Sequence, residues 1–267
     1  MKAQNKVTVV TGGGSGMGRE LVLNLLAKGA KVAAIDINEK ALQETAQLAG
    51  SNAEALNVFV ADITNRAAIE DLAKKVISSF GHVDGVINNA GIIQPFIKVN
   101  DLSYEIIERV MNINFYGTLY LIKTFLPHLL TRPEAHIVDI SSMGGFLPVP
   151  GQTIYGASKA AVKLLTEGLN SELKNTNVKV TVVFPGGVRT NIMSNSGLEN
   201  RMESTTEGAQ KILSADQAAG MIIDGMEQNR YRVLVGKDAK LMDLLYRLNP
   251  AYAAGLIAKK MSALLTN

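Results

Sequence analysis

The sequence has no cysteine among its 267 residues and few aromatic ones, which make up 5%. Without cysteine, disulfides, iron–sulfur clusters and thiolate zinc sites are excluded. The three histidines, His82, His128 and His136, are far apart in the chain, so we expect no metal site. No uninterrupted apolar stretch reaches the ~20 residues of a membrane-spanning helix, and the first residues contain no apolar signal core. We therefore expect a soluble, cytoplasmic protein.

Charge of either sign is scarce and nearly balanced, with 27 basic and 24 acidic residues. This balance is too even for a nucleic-acid-binding surface, so no nucleic-acid partner is expected. The segment 237–267 holds five basic and two acidic residues, and it therefore carries the whole net charge of +3. With 47% hydrophobic residues the chain is not a disordered one.

Short runs rich in β-branched residues alternate with longer amphipathic segments. The runs are apolar almost throughout, which is typical of strands covered on both faces. They span 6–10, 31–35, 57–61, 84–88, 136–140, 178–184 and 232–236. Helices are predicted at 39–49, at 66–80, from Asp101 or Ser103 to Leu130, at 153–174, and from Ser214 or Asp216 to near Asn229. The alternation predicts one α/β domain of parallel strands, and the polar stretch 191–214 resembles an active-site lid.

A glycine-rich turn, Thr11 to Gly18, connects the first predicted strand to a helix. Glycines let the backbone approach a pyrophosphate closely, and the N-terminus of the following helix attracts the phosphates. A tight turn that binds nothing would need the same glycines. Asp36 ends the second strand about 20 residues later, where a carboxylate can bind both hydroxyls of an adenosine ribose. Asp36 could instead cap the next helix.

The negative charge at position 36 also affects which dinucleotide the chain would bind. A carboxylate there repels a 2′-phosphate, and the next residue, Ile37, offers no positive charge for one. The sequence therefore favours NAD over NADP.

The second motif places Tyr155 and Lys159 four residues apart, on one face of a predicted helix. A phenol ionises near pH 10, and a nearby ammonium group contributes roughly 3 kcal/mol toward its ionisation at an effective dielectric of 20. Tyr155 is thus a plausible proton donor to a carbonyl oxygen. Ser141 and Ser142 end the preceding strand, where side chains point into the ligand crevice. Alternatively, Tyr155 and Lys159 could simply lie on an exposed helix face without a catalytic role.

Taken in order, these motifs resemble the short-chain dehydrogenase/reductase family, from the glycine turn to about Gly236. The family's Thr-Gly-x-x-x-Gly-x-Gly motif matches Thr11, Gly12, Gly16 and Gly18, and its acid after the third strand matches Asp62, followed by Ile63. Its Asn-Asn-Ala-Gly motif matches Asn88, Asn89, Ala90 and Gly91, and its Asn-x-x-Gly element matches Asn114 and Gly117. Its Tyr-x-x-x-Lys motif matches Tyr155 and Lys159, and its Pro-Gly motif matches Pro185 and Gly186, with Val188 and Thr190 following.

The resemblance implies a Rossmann-like, doubly wound seven-stranded parallel sheet with helices on both faces. It implies reversible oxidation of a small-molecule alcohol to a ketone or aldehyde, with NAD as cofactor. The implied catalytic residues are Asn114, Ser142, Tyr155 and Lys159, with Ser142 preferred to Ser141 because the family's serine lies 13 residues before its tyrosine. The implied cofactor-binding residues are Gly12, Ser15, Gly16, Met17, Gly18, Asp36, Ile37, Asp62, Ile63, Asn89, Ala90, Gly91, Tyr155, Lys159, Pro185, Gly186, Val188 and Thr190.

The resemblance gives each catalytic residue a task. Tyr155 exchanges the proton, Lys159 lowers its pKa, and Ser142 binds the substrate oxygen. Asn114 holds a water beside Lys159, although it could instead serve only to kink the long helix.

Two other functions share parts of this pattern. A catalytically silent dinucleotide sensor or scaffold would not need Ser142, Tyr155 and Lys159 together. A sugar-nucleotide epimerase shares the Tyr-x-x-x-Lys chemistry, but that branch is usually longer and has a different glycine spacing.

The segment 237–267 extends beyond the last strand as two amphipathic helices broken near Pro250. We expect it to belong to the same domain as 1–236 and to pack over the substrate cleft or against another subunit. A basic surface that touches anionic lipid and disorder at the very end are the alternatives. The family resemblance further implies a homotetramer or homodimer that pairs through helices 103–130 and 153–174.

Overall fold

The computed structural model describes residues 1–198 and 212–261. Its strands are β1 (Val7–Thr11), β2 (Lys31–Asp36), β3 (Leu56–Val60), β4 (Gly85–Asn88), β5 (Ala135–Ile140), β6 (Val178–Pro185), β7 (Val188–Arg189), β8 (Leu213–Ser214) and β9 (Arg232–Val235). Its α-helices are α1 (Gly16–Ala27), α2 (Glu39–Leu48), α3 (Arg66–Phe80), α4 (Tyr104–Met111), α5 (Thr118–Leu130), α6 (Thr153–Glu172), α7 (Ile192–Asn195), α8 (Ala215–Glu227), α9 (Lys237–Leu248) and α10 (Pro250–Met261).

Seven strands form one parallel sheet in the order β3-β2-β1-β4-β5-β6-β9, and the two-residue strands β7 and β8 pair with each other. All seven predicted strands are present, with ends within one residue of the prediction. The strand order reverses between β1 and β4, and a doubly wound sheet binds ligands in the crevice at such a reversal. The predicted Rossmann-like fold is confirmed.

A buried apolar layer covers each face of the sheet. Val10 and Ala34 point toward a layer that includes Leu25 of α1 and Ile222 of α8. Their neighbours Val9 and Ile35 point to the opposite layer, with Ile69 of α3 and Phe125 of α5. Both faces of the central strands β1, β4, β5 and β6 are buried, which explains why these strands are continuous apolar runs rather than alternating ones.

Serine side chains start two of the predicted helices. Ser103 accepts a hydrogen bond of 3.5 Å from the Ile106 N–H, and Ser214 forms a reciprocal capping box with Gln217. The helix from Ser103 to Leu130 was predicted as one continuous α-helix, and this is wrong in its middle. Residues Asn112–Gly117 form a π-helical turn between α4 and α5.

The segment after Gly236 forms the two predicted helices. Pro250 is the first residue of α10, a position where a backbone N–H would have no acceptor within the helix, so proline loses no hydrogen bond there. Met242, Ala253 and Ile257 pack against Leu147, in the loop between β5 and α6. The opposite side of α9 exposes leucines 241, 244 and 248. Residues 262–267, the predicted disordered end, lie outside the described residues. No helix in the described parts of the chain is long and apolar enough to cross a bilayer.

Candidate functional site

A cleft of about 1020 Å³ opens at the carboxyl ends of the central strands. It is lined by residues from nearly every segment in which the sequence predicts a functional side chain. Of the predicted set, it includes Gly12, Ser15, Gly16, Met17, Gly18, Asp36, Ile37, Asp62, Ile63, Asn89, Ala90, Gly91, Ser142, Tyr155, Lys159, Pro185, Gly186, Val188 and Thr190. Asn114 is fully buried behind it.

The glycine turn requires glycine for two separate reasons. Gly12 and Gly16 have φ values of 69° and 51°, which side-chain-bearing residues rarely adopt. A Cβ on Gly18 would collide with the Gly12 carbonyl oxygen, so α1 could not start this close to β1. Thr11 fixes the loop after β4 beside this turn, because its Oγ1 accepts hydrogen bonds of 3.0 and 3.1 Å from the N–H groups of Asn89 and Ala90. The result is a narrow backbone cradle at the N-terminus of α1.

The Asp36 carboxylate is oriented by the backbone at the rim of this cradle. It accepts hydrogen bonds of 3.0 Å from the N–H groups of Gly14 and Asn38. Asn38, not Asp36, caps α2, since its Oδ1 accepts the Ala41 N–H. The alternative interpretation of Asp36 as the helix cap is therefore wrong. Its neighbour Ile37 is 67% exposed.

Asp62 and Ile63 form the next part of the rim. Asp62 Oδ1 accepts hydrogen bonds of 2.8 Å from the N–H and the hydroxyl of Thr64. Ile63 is buried against Gly117, where a Cβ would lie 2.6 Å from Ile63 Cδ1. The glycine of the Asn-x-x-Gly element is thus explained by the space that Ile63 occupies.

The two serines at the end of β5 have different environments. Ser141 is buried and donates a 2.7 Å hydrogen bond to the Lys159 carbonyl, which ties β5 to α6. Ser142 Oγ accepts the Gly144 N–H at 3.0 Å and is hydrogen-bonded to Tyr155. Ser142 is therefore the serine beside the phenol.

Burial raises the pKa of the Tyr155 phenol above its usual value, and the hydrogen bond with Ser142 opposes this only in part. The Lys159 ammonium donates a 2.8 Å hydrogen bond to the Ile140 carbonyl. Its effect on the Tyr155 pKa stays a prediction.

Lys159 is itself buried, and desolvation lowers its pKa to about 8, with the Asp139 carboxylate opposing. A Cβ on Gly91 would lie 3.2 Å from Lys159 Nζ and 3.1 Å from Asn114 Oδ1, so both groups converge on the loop after β4. The tyrosine, the lysine and this loop therefore meet at one end of the cleft.

Asn114 lies in the π-helical turn, and its side chain is fully engaged. Its Oδ1 accepts the Ile92 N–H, and its Nδ2 donates to the Ile92 carbonyl and to Ser158 Oγ, all at 2.9 Å. Asn114 thus connects the loop after β4 to α6, and it sits where the long helix departs from α-helical geometry.

The loop after β6 closes the other side of the cleft. Thr190 lies against Gly16, where a Cβ would be 3.3 Å from Thr190 Cβ. From α7, Asn195 donates a 2.8 Å hydrogen bond to Ser15 Oγ across the opening of the cradle. The described part of the predicted lid therefore reaches the glycine turn, and residues 199–211 of it lie outside the described residues.

Sequence reasoning missed two polar groups behind the site. The Asp139 carboxylate accepts hydrogen bonds of 2.7 Å from Asn88 and 2.9 Å from Thr166, and burial raises its pKa to about 6. A charged residue inside the apolar strand β5 is a signal that could have found it. Gln94 is fully buried beside α6, and nothing in its sequence context marks it.

The sequence profile of the short chain dehydrogenase family matches residues 6–201. A putative oxidoreductase, SadH, of Mycobacterium tuberculosis is 36% identical over 262 residues, which cover 96% of this chain and 95% of that protein. Dehydrogenase/reductase SDR family member 7B of Mus musculus is 34% identical over 238 residues, and the alignment covers 87% of this chain and 73% of that protein.

A solved structure supports the same relationship. The crystal structure of a short chain dehydrogenase/reductase from Burkholderia phymatum in complex with NAD has a TM-score of 0.81 and 27% identity. The alignment covers 93% of this chain and 96% of that one.

Proposed function

The chain belongs to the short-chain dehydrogenase/reductase family of oxidoreductases, and we propose that it is an NAD-dependent enzyme that interconverts an alcohol and a ketone or aldehyde. The observation that carries this proposal is that Ser142, Tyr155 and Lys159 line the same cleft as the glycine cradle. Proton-transfer groups and a dinucleotide cradle in one cavity are what such a reaction requires.

The residues present fit a nicotinamide dinucleotide. Gly12, Gly16 and Gly18 leave a cradle that any Cβ would strain or fill, and α1, whose N-terminus can attract a phosphate, begins in it at Gly16. Asp62 and Ile63 would flank the adenine, Asn89 to Gly91 would lie along the cofactor, and Pro185 to Thr190 would hold the carboxamide. When bound, the nicotinamide supplies or accepts the hydride.

In the oxidation direction, ionised Tyr155 takes the hydroxyl proton of the alcohol. In the reduction direction, Tyr155 Oη returns that proton to the substrate oxygen. Ser142 Oγ hydrogen-bonds the same oxygen and stabilises the negative charge that develops on it. Because burial holds the Tyr155 pKa high, the Lys159 ammonium has to be near the phenol when the site is loaded.

The cofactor is NAD rather than NADP in this proposal. The Asp36 carboxylate is fixed by Gly14 and Asn38 at the rim of the cradle, where the adenosine ribose would lie. It can accept the ribose hydroxyls but repels a 2′-phosphate. Arg19, the nearby cation, is already bonded to the Gly14 carbonyl and to Glu44.

The protein is further proposed to be a homodimer or homotetramer. The two helices expected at the interface expose large side chains, with Leu164 of α6 at 68% and Tyr116, in the π-helical turn, at 42%. Such residues are typical of subunit interfaces. Light scattering at micromolar concentration tests this, and a monomer would contradict it.

The function is tested by following NADH over a panel of secondary alcohols, diols, ketones and aldehydes, beside the Tyr155→Phe variant. We expect turnover that falls by about 10²- to 10⁴-fold in the variant, with NADH binding retained in both proteins. NADH binding without turnover on any compound would instead favour the dinucleotide sensor.

A further inference from the structure

Gln94 makes four hydrogen bonds to the start of the helix that carries Tyr155. Its side-chain oxygen accepts the N–H groups of Ile154 and Tyr155, at 2.8 and 2.9 Å. Its side-chain amide donates to the Gly151 carbonyl at 2.9 Å, and its own carbonyl accepts from Gln152 Nε2 at 2.7 Å. The Gln94 side chain is completely buried.

These contacts replace a missing helix cap. The first N–H groups of a helix have no partner within the helix, and the residue before it usually supplies one. Gln152 holds that position in α6, and its side chain caps nothing. Gln94 supplies the acceptor from a different loop. The direction of the first turn of α6, and with it the position of Tyr155, is therefore set from outside the helix.

Gln94 also connects α6 to the predicted cofactor loop. Gln94 follows Gly91 by three residues, and each intervening residue is bonded to a different element. Ile92 is bonded to Asn114, and the Ile93 N–H donates to Ser196 Oγ at 3.0 Å. The segment 92–94 thus has little freedom to move relative to Gly91.

We propose that Gln94 is a positioning residue that fixes the Tyr155 hydroxyl relative to the cofactor-binding loop. The proposal rests on the proposed function, in which Tyr155 transfers the proton. Only an uncharged side chain with both an acceptor and a donor can bind the Tyr155 N–H and the Gly151 carbonyl together. A displacement of 1 Å at a reacting group can lower a rate by about 100-fold, so this buried contact acts on kcat rather than on binding.

The test compares four variants with the wild type. Gln94→Met removes the amide at similar length, and Gln94→Asn keeps the amide but shortens its reach in case the first variant does not fold. Gln94→Glu restores an oxygen acceptor for the two N–H groups. Asn65→Ala is the matched control, because Asn65 caps α3 by accepting the Ala68 N–H at 3.1 Å and does not line the cleft.

We expect Gln94→Met and Gln94→Asn to lower kcat by at least about tenfold, with KM and the NADH dissociation constant unchanged. Gln94→Glu, which has no donor for the Gly151 carbonyl, should also lower kcat, and Asn65→Ala should lower only the melting temperature. A kcat in the folded Gln94→Asn variant equal to that of the control would overturn the proposal. So would a Gln94→Glu variant with the kcat of the wild type.

A second readout does not depend on turnover. Tyrosinate absorbance, measured against the Tyr155→Phe background, reports the Tyr155 pKa. Because burial is what raises this pKa, a loosened helix start hydrates the phenol, and the pKa should fall in Gln94→Met and Gln94→Asn. The other ionisable groups around the cleft, Asp36, Asp62, Glu105, Glu108, Arg109, Asp139 and Lys159, are identical in these proteins and cancel.

The two readouts separate the proposals. If the wild type turns over no compound but the Tyr155 pKa falls in the variants, the proposed function fails and the positioning role stands. If the Tyr155 pKa in Gln94→Met and Gln94→Asn equals that of the wild type, the positioning role is wrong whatever the activity.

Discussion

The Asp238 carboxylate, in the first turn of α9, accepts a hydrogen bond of 2.7 Å from the Gly187 N–H. Gly187 belongs to the loop after β6 that is proposed to hold the nicotinamide carboxamide. The same carboxylate occupies the space that a Cβ on Gly186 or Gly236 would need. Helix α9 is therefore in direct contact with the proposed cofactor site.

We predict that Asp238→Ala weakens NADH binding several-fold, because the loop loses a hydrogen bond worth about 1 kcal/mol. Asp238→Asn is the matched control, since its amide oxygen can still accept the Gly187 N–H. NADH fluorescence titration measures both. Equal dissociation constants for Asp238→Ala and the wild type would show that the loop is held by other contacts.

Asp36→Asn should shift cofactor preference toward NADPH. The substitution removes the negative charge and keeps one oxygen for the Gly14 N–H, while the Asn38 N–H, which bonds the second carboxylate oxygen, loses its acceptor. Two like charges about 4 Å apart repel by roughly 4 kcal/mol at an effective dielectric of 20, which leaves room for a tenfold or larger change in the ratio of the two dissociation constants.

The control for this experiment is Asp62→Asn, on the proposed adenine side of the cleft. It should weaken both cofactors alike. If Asp36→Asn leaves NADPH binding as weak as in the wild type, Asp36 is not the group that selects the cofactor.

His136 should make the protein less stable in acid. Burial lowers the pKa of His136 to about 3, and its Nε2 lies 2.8 Å from Thr181 Oγ1. A lowered pKa in the folded state means that its contribution is complete above pH 6.5 and is lost as the pH falls toward 3. The slope is about 1.4 kcal/mol per pH unit.

Urea unfolding of the wild type and of His136→Gln from pH 7.5 to 4 isolates this effect. The difference in unfolding free energy between the two proteins should shrink as the pH falls. The opposite contribution of Asp139, whose raised pKa stabilises the fold in acid relative to neutral pH, is common to both and cancels. Parallel stability curves would rule out His136 as the cause.

Gly117 and Ile63 should show strong coupling in a double-mutant cycle. A Cβ on Gly117 would lie 2.6 Å from Ile63 Cδ1, so Gly117→Ala should cost about 1 to 3 kcal/mol of stability by overpacking. Ile63→Val removes that methyl group and alone costs about 1 kcal/mol. The double variant should be more stable than the sum of the two losses predicts. Additive losses would mean that the contact relaxes without strain.

The sequence predicted the sheet well because its central strands are buried on both faces. A run such as residues 178–184 contains so many β-branched apolar residues that it is most stable as a buried strand. In the structure this strand ends one residue later than predicted, at Pro185. The π-helical turn at Asn112–Gly117 could not be predicted in this way. It changes hydrogen-bond partners along the chain without changing the apolar pattern on which helix prediction depends.

The predicted site residues also share a physical property. Gly12, Asp36 and Tyr155 are near strand ends or helix starts, which topology brings to one edge of the sheet. Gln94, in the loop after β4, and Asn195, at the end of α7, bond to partners that are far apart from them in sequence, and no periodicity relates them. The Tyr155 pKa could not be predicted either, because spacing alone gives the distance to Lys159 but not the extent of burial.

The packing of α9 and α10 on Leu147 has a practical consequence for redesign of the enzyme. The loop between β5 and α6 borders the cleft on one side and rests on Met242 and Ile257 on the other. Variant libraries aimed at a new substrate should therefore randomise the loop and its helical support together. Exchanging α9 and α10 for those of a relative would change the side chains that support this loop, although the two helices contribute none of the proposed catalytic residues.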